Sequence, residues 1–204
     1  MTAEAIRAAA IRLFHRQGFE ATTMRQLATE VGIEAASLYN HIGSKQELLA
    51  EILLGSMRDL LATLDRKLSQ VGSDPVARLV AAVRTYVLFH DGNLEGPSIS
   101  DTERRSLEPE HCRELLALRE QLSKLFRRIL ADGVLAGVFK VDDQSLAVLS
   151  VLSICARLPV WYRPGGRLEL DQIATLIARN CLRMLGCDEG QIESVPIGSV
   201  GGGR

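Results

Sequence analysis

The chain has 204 residues, enough for one or two domains, and its 47% hydrophobic content is ample for a core. Aromatics make up 4% while Ala and Leu are many, which favours helix over strand. The net charge of −1 excludes a polycation that would hold nucleic acid by bulk charge alone. Four cysteines, Cys112, Cys155, Cys181 and Cys187, match no zinc spacing, and a disulfide framework is not expected in a chain this long and apolar; buried free thiols in a reducing cytoplasm are. No secretory leader is visible, and no run of twenty uncharged apolar residues occurs: the nearest, Leu146–Tyr162, is broken by Arg157 and Pro159. A soluble intracellular protein with no membrane role follows as the expectation.

In chain order, Ile6, Ala9, Ala10, Leu13 and Phe14 fall at helical spacing and predict a helix over residues 3–16, ended by Gly18. Thr23 is placed to cap a second helix, with Gln26 completing a capping box and Leu27, Ala28 and Val31 as its apolar stripe. Gly32 follows, the residue that takes a left-handed conformation most cheaply. Ile33 and Leu38 read as a hydrophobic staple around a helix starting near Glu34, and Ser44 with Glu47 reads as a second capping box. A small residue at 28, a glycine four later and an apolar residue six after that is helix-turn-helix spacing. The predicted core of this head is Ile6, Ala10, Leu13, Phe14, Phe19, Leu27, Val31, Leu38 and Leu48.

Thr22-Thr23-Met24-Arg25-Gln26-Leu27-Ala28, Gly32-Ile33, Ser37-Leu38-Tyr39-Asn40-His41 and Lys45–Leu48 resemble the DNA-binding domain of TetR-family repressors. Ile42 departs from the usual Phe, and Glu34, Ala35 and Ala36 stand where Ser, Lys and Gly are common, which removes a basic contact. The resemblance implies an all-α protein: an N-terminal three-helix helix-turn-helix domain (residues 1–47), a C-terminal helical ligand-binding and dimerisation domain (48–186) and a flexible tail (187–204), about nine helices in all. It implies a homodimer on a palindromic operator. Carried over position by position, Thr23, Tyr39 and Lys45 look like phosphate contacts, and Arg25, Ala35, Ala36, Ser37, Asn40 and His41 look groove-facing. Within residues 1–50 five cations (Arg7, Arg12, Arg16, Arg25, Lys45) meet five glutamates (4, 20, 30, 34, 47), a sum of zero, so affinity must come from placement.

Further on, Leu48, Ile52, Leu60, Leu64 and Leu68 predict a long helix from Lys45 to about Gln70. Asp74 and Pro75 open the next, with Val76, Leu79, Val80, Val83 and Val87 inside. Asp91–Ser100 reads as a loop, Asp101–Leu107 as a short polar helix, and Pro109 opens a long helix ended by Gly133 and Gly137. Asp142 to about Tyr162 is apolar on nearly every side, so one face is expected on its own domain and the other on a partner. Arg163-Pro164-Gly165-Gly166 is a turn, and Leu170–Leu185 a last amphipathic helix.

Tyr86–His90, Glu103–Leu107, Gly137-Val138-Phe139 and Trp161–Gly166 resemble a narrower group, the FadR-like, acyl-CoA-responsive branch that controls fatty-acid or steroid breakdown. That resemblance implies an acyl-CoA thioester as effector rather than a bound cofactor. The candidate ligand residues are His90, Glu103, Arg104, Arg157, Trp161 and Arg163, with Arg105 a further cation nearby. A CoA thioester needs an apolar tunnel for its acyl group and cations for its phosphates. Three alternatives stand beside this one: a drug- or metabolite-sensing efflux repressor, a helical interaction module without DNA, and a small helical enzyme. No Ser–His–Asp ordering, phosphate loop or metal-ligand cluster supports the last. The reading taken is a cytoplasmic bacterial repressor, not an enzyme, with no metal, released from DNA by a small molecule.

Overall fold

The structure is a computed structural model, and it describes residues 3–91, 99 and 103–195. Every regular element among them is helical: α1 Ala3–Gln17, α2 Met24–Val31, α3 Ala35–Leu38, α4 Lys45–Leu68, α5 Pro75–Leu88, a 3-10 turn Glu103–Ser106, α6 Pro109–Leu135, α7 Gln144–Ala156, α8 Leu158–Trp161, α9 Leu170–Met184 and α10 Glu189–Glu193. Two compact units form. Residues 1–59 and 93–119 make the first, and residues 60–92 and 120–204 the second, so α4 and α6 each begin in the first unit and end in the second.

In the first unit, Thr23 caps α2 in both directions: its hydroxyl accepts from the Gln26 N–H at 3.2 Å, and the Gln26 side-chain oxygen accepts from the Thr23 N–H at 2.8 Å. Gly32 ends α2 at φ 74°, and its N–H reaches back to the last helical carbonyls. Ser44 starts α4 by accepting from the Glu47 N–H at 3.0 Å. Eight of the nine expected head-core residues are buried; Val31 is half-buried against them. The core is larger than the head, however. Leu49, Ile52 and Leu53 of α4, Leu107 after the 3-10 turn and Leu115 of α6 belong to the same cluster.

In the second unit, α5 is capped by Asp74, whose carboxylate accepts from Ala77 N–H at 2.9 Å. α7 is capped by Asp143 in the same way, from Leu146 N–H at 2.9 Å. Arg84 ties α5 to α9: its guanidinium bonds the Asp171 carboxylate at 2.5 Å and also reaches the Thr175 hydroxyl, which is fully buried.

Four expectations change. Gly133 does not end α6; it lies inside the helix, and a β-carbon there would overlap the buried Phe139 ring, so the glycine is a slot for that ring. The single helix expected over Asp142–Tyr162 is two, because Arg157 stands between them as the C-cap of one and the N-cap of the next, and Pro159 offers no N–H to continue. The stretch expected as a flexible tail from 187 is structured as far as Val195. Ile192 and Val195 bury apolar side chains, and Arg179 holds the Val195 carbonyl at 2.5 Å. The short helix expected over Asp101–Leu107 is the 3-10 turn Glu103–Ser106. Most of the loop expected over Asp91–Ser100, and residues 196–204, lie outside the described residues.

Among the described residues one stretch, Gln144–Trp161, is by length and composition apolar enough to cross a membrane, with 28% of it buried. Its exposed apolar residues are Leu146 and Leu149, both 61% exposed, with Ile154, Val160 and Trp161; Met184 of α9 is exposed as well. One face of the stretch, with Val148, Val151, Cys155 and Leu158, packs on its own unit, and the other face is exposed in a single chain.

Candidate functional site

The turn from α2 to α3 presents a row of short and polar side chains. Ala36, Ser37, Tyr39, Asn40 and His41 are exposed, Ala35 is half-buried and Leu38 is fully buried. The helix is one turn long, with no side-chain cap at Glu34. Leu38 anchors it in the core below and so fixes which faces point outward. Thr23 and Arg25 are exposed at the start of α2, and a cleft of about 580 Å³ lies beside them, lined by Arg16, Gln17, Gln26, Thr29 and Glu30.

Electrostatics sorts the head's cations. Glu30 holds Arg12 at 3.5 Å and Arg16 at 4.0 Å, while Arg7 lies 3.9 Å from Asp59. Arg25 makes no ion pair among the described residues. Lys45 departs from its expected role as a phosphate contact. Its ammonium donates to the carbonyls of Phe19 and Thr22, both at 2.9 Å, and of Glu20 at 3.4 Å, and sits 4.2 Å from the Phe19 ring centre. With three N–H groups committed, it clamps the α1–α2 turn instead of reaching outward.

The candidate ligand residues divide. Glu103 and Arg104 belong to the first unit; His90, Arg157, Trp161 and Arg163 belong to the second. Glu103 accepts from the Ser106 hydroxyl at 3.2 Å, a bond within its own 3-10 turn. Trp161 and Arg163 line an open cleft of about 510 Å³ with Arg167, Leu168, Ile173 and Ile177. Arg163 also closes α8 by donating to the Tyr162 carbonyl at 2.8 Å. Arg157 is exposed, at the break between α7 and α8.

His90 is 2% exposed. Its Nε2 lies 3.2 Å from the Cys155 carbonyl oxygen, and its ring sits 5.6 Å from that of Tyr86. Burial pulls its pKa from 6.5 down to about 4, against a smaller raising effect of the Cys155 carbonyl. Burial pushes the Cys155 thiol well above its ordinary value and the Cys181 thiol up to about 12, so both stay protonated. Among the described residues no cluster of metal-ligating side chains occurs. Arg84 and its bond to Asp171 were not found by sequence reasoning; a lone arginine among Val80, Val83 and Val87 is the only trace it leaves.

Because His90 is neutral when folded and titrates near 6.5 when unfolded, the unfolded chain binds the extra proton between pH 6.5 and 4. Stability is therefore full above pH 6.5 and falls as pH drops toward 4, by about 3 kcal/mol from this group. Denaturant melts across that range measure the slope, and His90→Gln removes this part of it.

Two family profiles match. "Bacterial regulatory proteins, tetR family" matches residues 6–52, and "Tetracyclin repressor-like, C-terminal domain" matches residues 72–185. The HTH-type transcriptional repressor KstR2 of Rhodococcus jostii RHA1 is 34% identical over 81% of each chain. The solved ketosteroid transcriptional regulator KstR2 of Mycobacterium tuberculosis superposes with a TM-score of 0.82 at 26% identity, covering 90% of this chain and 94% of that one. A structure of AibR in complex with isovaleryl coenzyme A and operator DNA superposes with a TM-score of 0.77 at 25% identity, covering 90% and 97%. With an exposed, core-anchored helix-turn-helix at one end of the sequence and matches that together reach from residue 6 to 185, this chain belongs to the TetR family of bacterial transcriptional regulators and is not an enzyme.

Proposed function

We propose that the protein is a homodimeric repressor that binds a palindromic operator and leaves it when an acyl-CoA thioester binds. The observation that carries the DNA half is the exposed row Ala36, Ser37, Tyr39, Asn40 and His41, held outward by buried Leu38. The row is short enough that one copy reads few base pairs, so a useful operator needs two copies about one helical turn apart. Arg25, free of ion pairs among the described residues, supplies the charge; Lys45 positions the α2 start.

The apolar face of α7–α8 with Met184 of α9 supports the second copy: among the described residues nothing covers Leu146, Leu149, Ile154 and Val160. The effector reading rests on Trp161, Arg163 and Arg167 lining one cleft, where an indole face and two guanidiniums suit a nucleotide end bearing phosphates. It draws support from AibR, whose structure holds isovaleryl coenzyme A, and from the ketosteroid regulator. Release needs only a few kcal/mol of preference for a conformation whose two heads no longer fit successive grooves. A protein with this task works in the bacterial cytoplasm, where its DNA is.

Three measurements follow. On a palindromic duplex selected by the protein from a random pool, Arg25→Ala lowers affinity across all sequences and flattens the salt dependence by about one unit of slope. Leu149→Asp converts the dimer to a monomer in sedimentation and loses operator binding, while retaining helical circular dichroism. Titration of the protein–DNA complex with medium-chain, long-chain and steroid-derived CoA esters lowers fluorescence anisotropy; unchanged affinity with every ester removes the CoA effector and leaves the repressor.

A further inference from the structure

The break between α7 and α8 fixes the proton of a buried imidazole. In a continuous helix the N–H of residue 159 would bond the carbonyl of residue 155. Pro159 has none, so the Cys155 carbonyl lacks that donor. His90 Nε2 takes the place, at 3.2 Å. A carbonyl only accepts, so Nε2 carries the proton and Nδ1 of the neutral ring carries a lone pair. Burial favours the neutral ring, with a pKa of about 4. Nδ1 is itself buried and has no hydrogen-bond partner among the described residues, and the side chain is 2% exposed, beside the Tyr86 and Phe89 rings. A buried acceptor with nothing donating to it is costly, and a ligand that supplies the donor gains from the difference.

We propose that His90 Nδ1 reads a hydrogen-bond donor on the effector, an O–H or N–H group, and disfavours ligands that bring only acceptors to that point. The inference rests on the effector reading above. A thioester carbonyl cannot serve Nδ1, because both are acceptors. Within an acyl-CoA the donor is a hydroxyl on the acyl group or an amide N–H of the CoA arm. Specificity of this kind comes from leaving the wrong ligand's partner unpaired.

The test is calorimetric titration of the full-length protein with decanoyl-CoA and 3-hydroxydecanoyl-CoA, on wild type, His90→Leu and His90→Gln. The glutamine amide keeps both a donor for Cys155 and an acceptor for the ligand, so it rescues what leucine loses. If the acyl hydroxyl is the donor, wild type and His90→Gln bind the hydroxylated ester about tenfold more tightly, and His90→Leu binds the two alike. If the CoA arm is the donor, wild type binds both alike and His90→Leu weakens both about tenfold, with glutamine again restoring them. Two esters that bind and are weakened by neither substitution overturn the proposal while leaving the CoA effector in place. If neither ester binds wild type, a medium-chain acyl-CoA effector falls. Nitrogen NMR of the imidazole then decides for His90: protonation at Nε2 with a bare Nδ1 supports the proposal, and protonation at Nδ1 overturns it. Should His90→Leu not fold, Pro159→Ala replaces it. The alanine N–H competes for the Cys155 carbonyl and frees the ring to exchange tautomers, so ligand affinity falls; an unchanged tautomer and affinity overturn the proposal.

Discussion

A four-residue helix cannot hold its own shape in water, and α3 is four residues long with no side-chain cap. What positions it is Leu38, fully buried in a cluster to which α1, α2, α4 and α6 all contribute. The exposed row on α3 is therefore only as fixed as that cluster, and part of the cluster comes from far along the chain. Leu107 and Leu115 close the core, Gln46 donates to the Ser106 carbonyl at 2.8 Å, and Arg58 pairs with Glu114. A head of some fifty residues is marginal by itself. Here it borrows a wall from the segment that leads into the second unit, and α4 and α6 both run on into that unit.

The second unit is held differently. Its α5 and α9 meet through apolar side chains, Leu79, Val83 and Val87 on one and Ile173, Ile177 and Ala178 on the other, all buried. Arg84, Asp171 and Thr175 add one polar contact of fixed geometry to that seam. Apolar surfaces slide with little preference for register, whereas a guanidinium bonded to a carboxylate and a buried hydroxyl does not. The stretch Gln144–Trp161 is the opposite case, apolar on its outer side as on its inner one.

Much of this was legible in the sequence because the signals were local. Thr23 with Gln26, Gly32, Asp74 with Pro75, and the stripe through Leu13 and Phe14 each act within a few residues, and each sits where spacing placed it. What could not be read depends on distant partners. Lys45 has the right position to reach a phosphate, but three carbonyls from residues 19, 20 and 22 surround it. Glu103 and Arg104 are candidate ligand residues from a separate motif, and they fall in a different compact unit from the other candidates. The tail lacked an obvious apolar stripe; Ile192 and Val195 suffice because Arg179 fastens the Glu193 and Val195 carbonyls beside them.

The Gly133–Phe139 contact carries a lesson about how this chain can change over time. Two positions six apart share one volume: the space that a side chain at 133 would fill belongs to the ring at 139. Neither can drift alone without a clash or a hole. Divergent relatives should therefore trade bulk between the two sites in a single paired replacement.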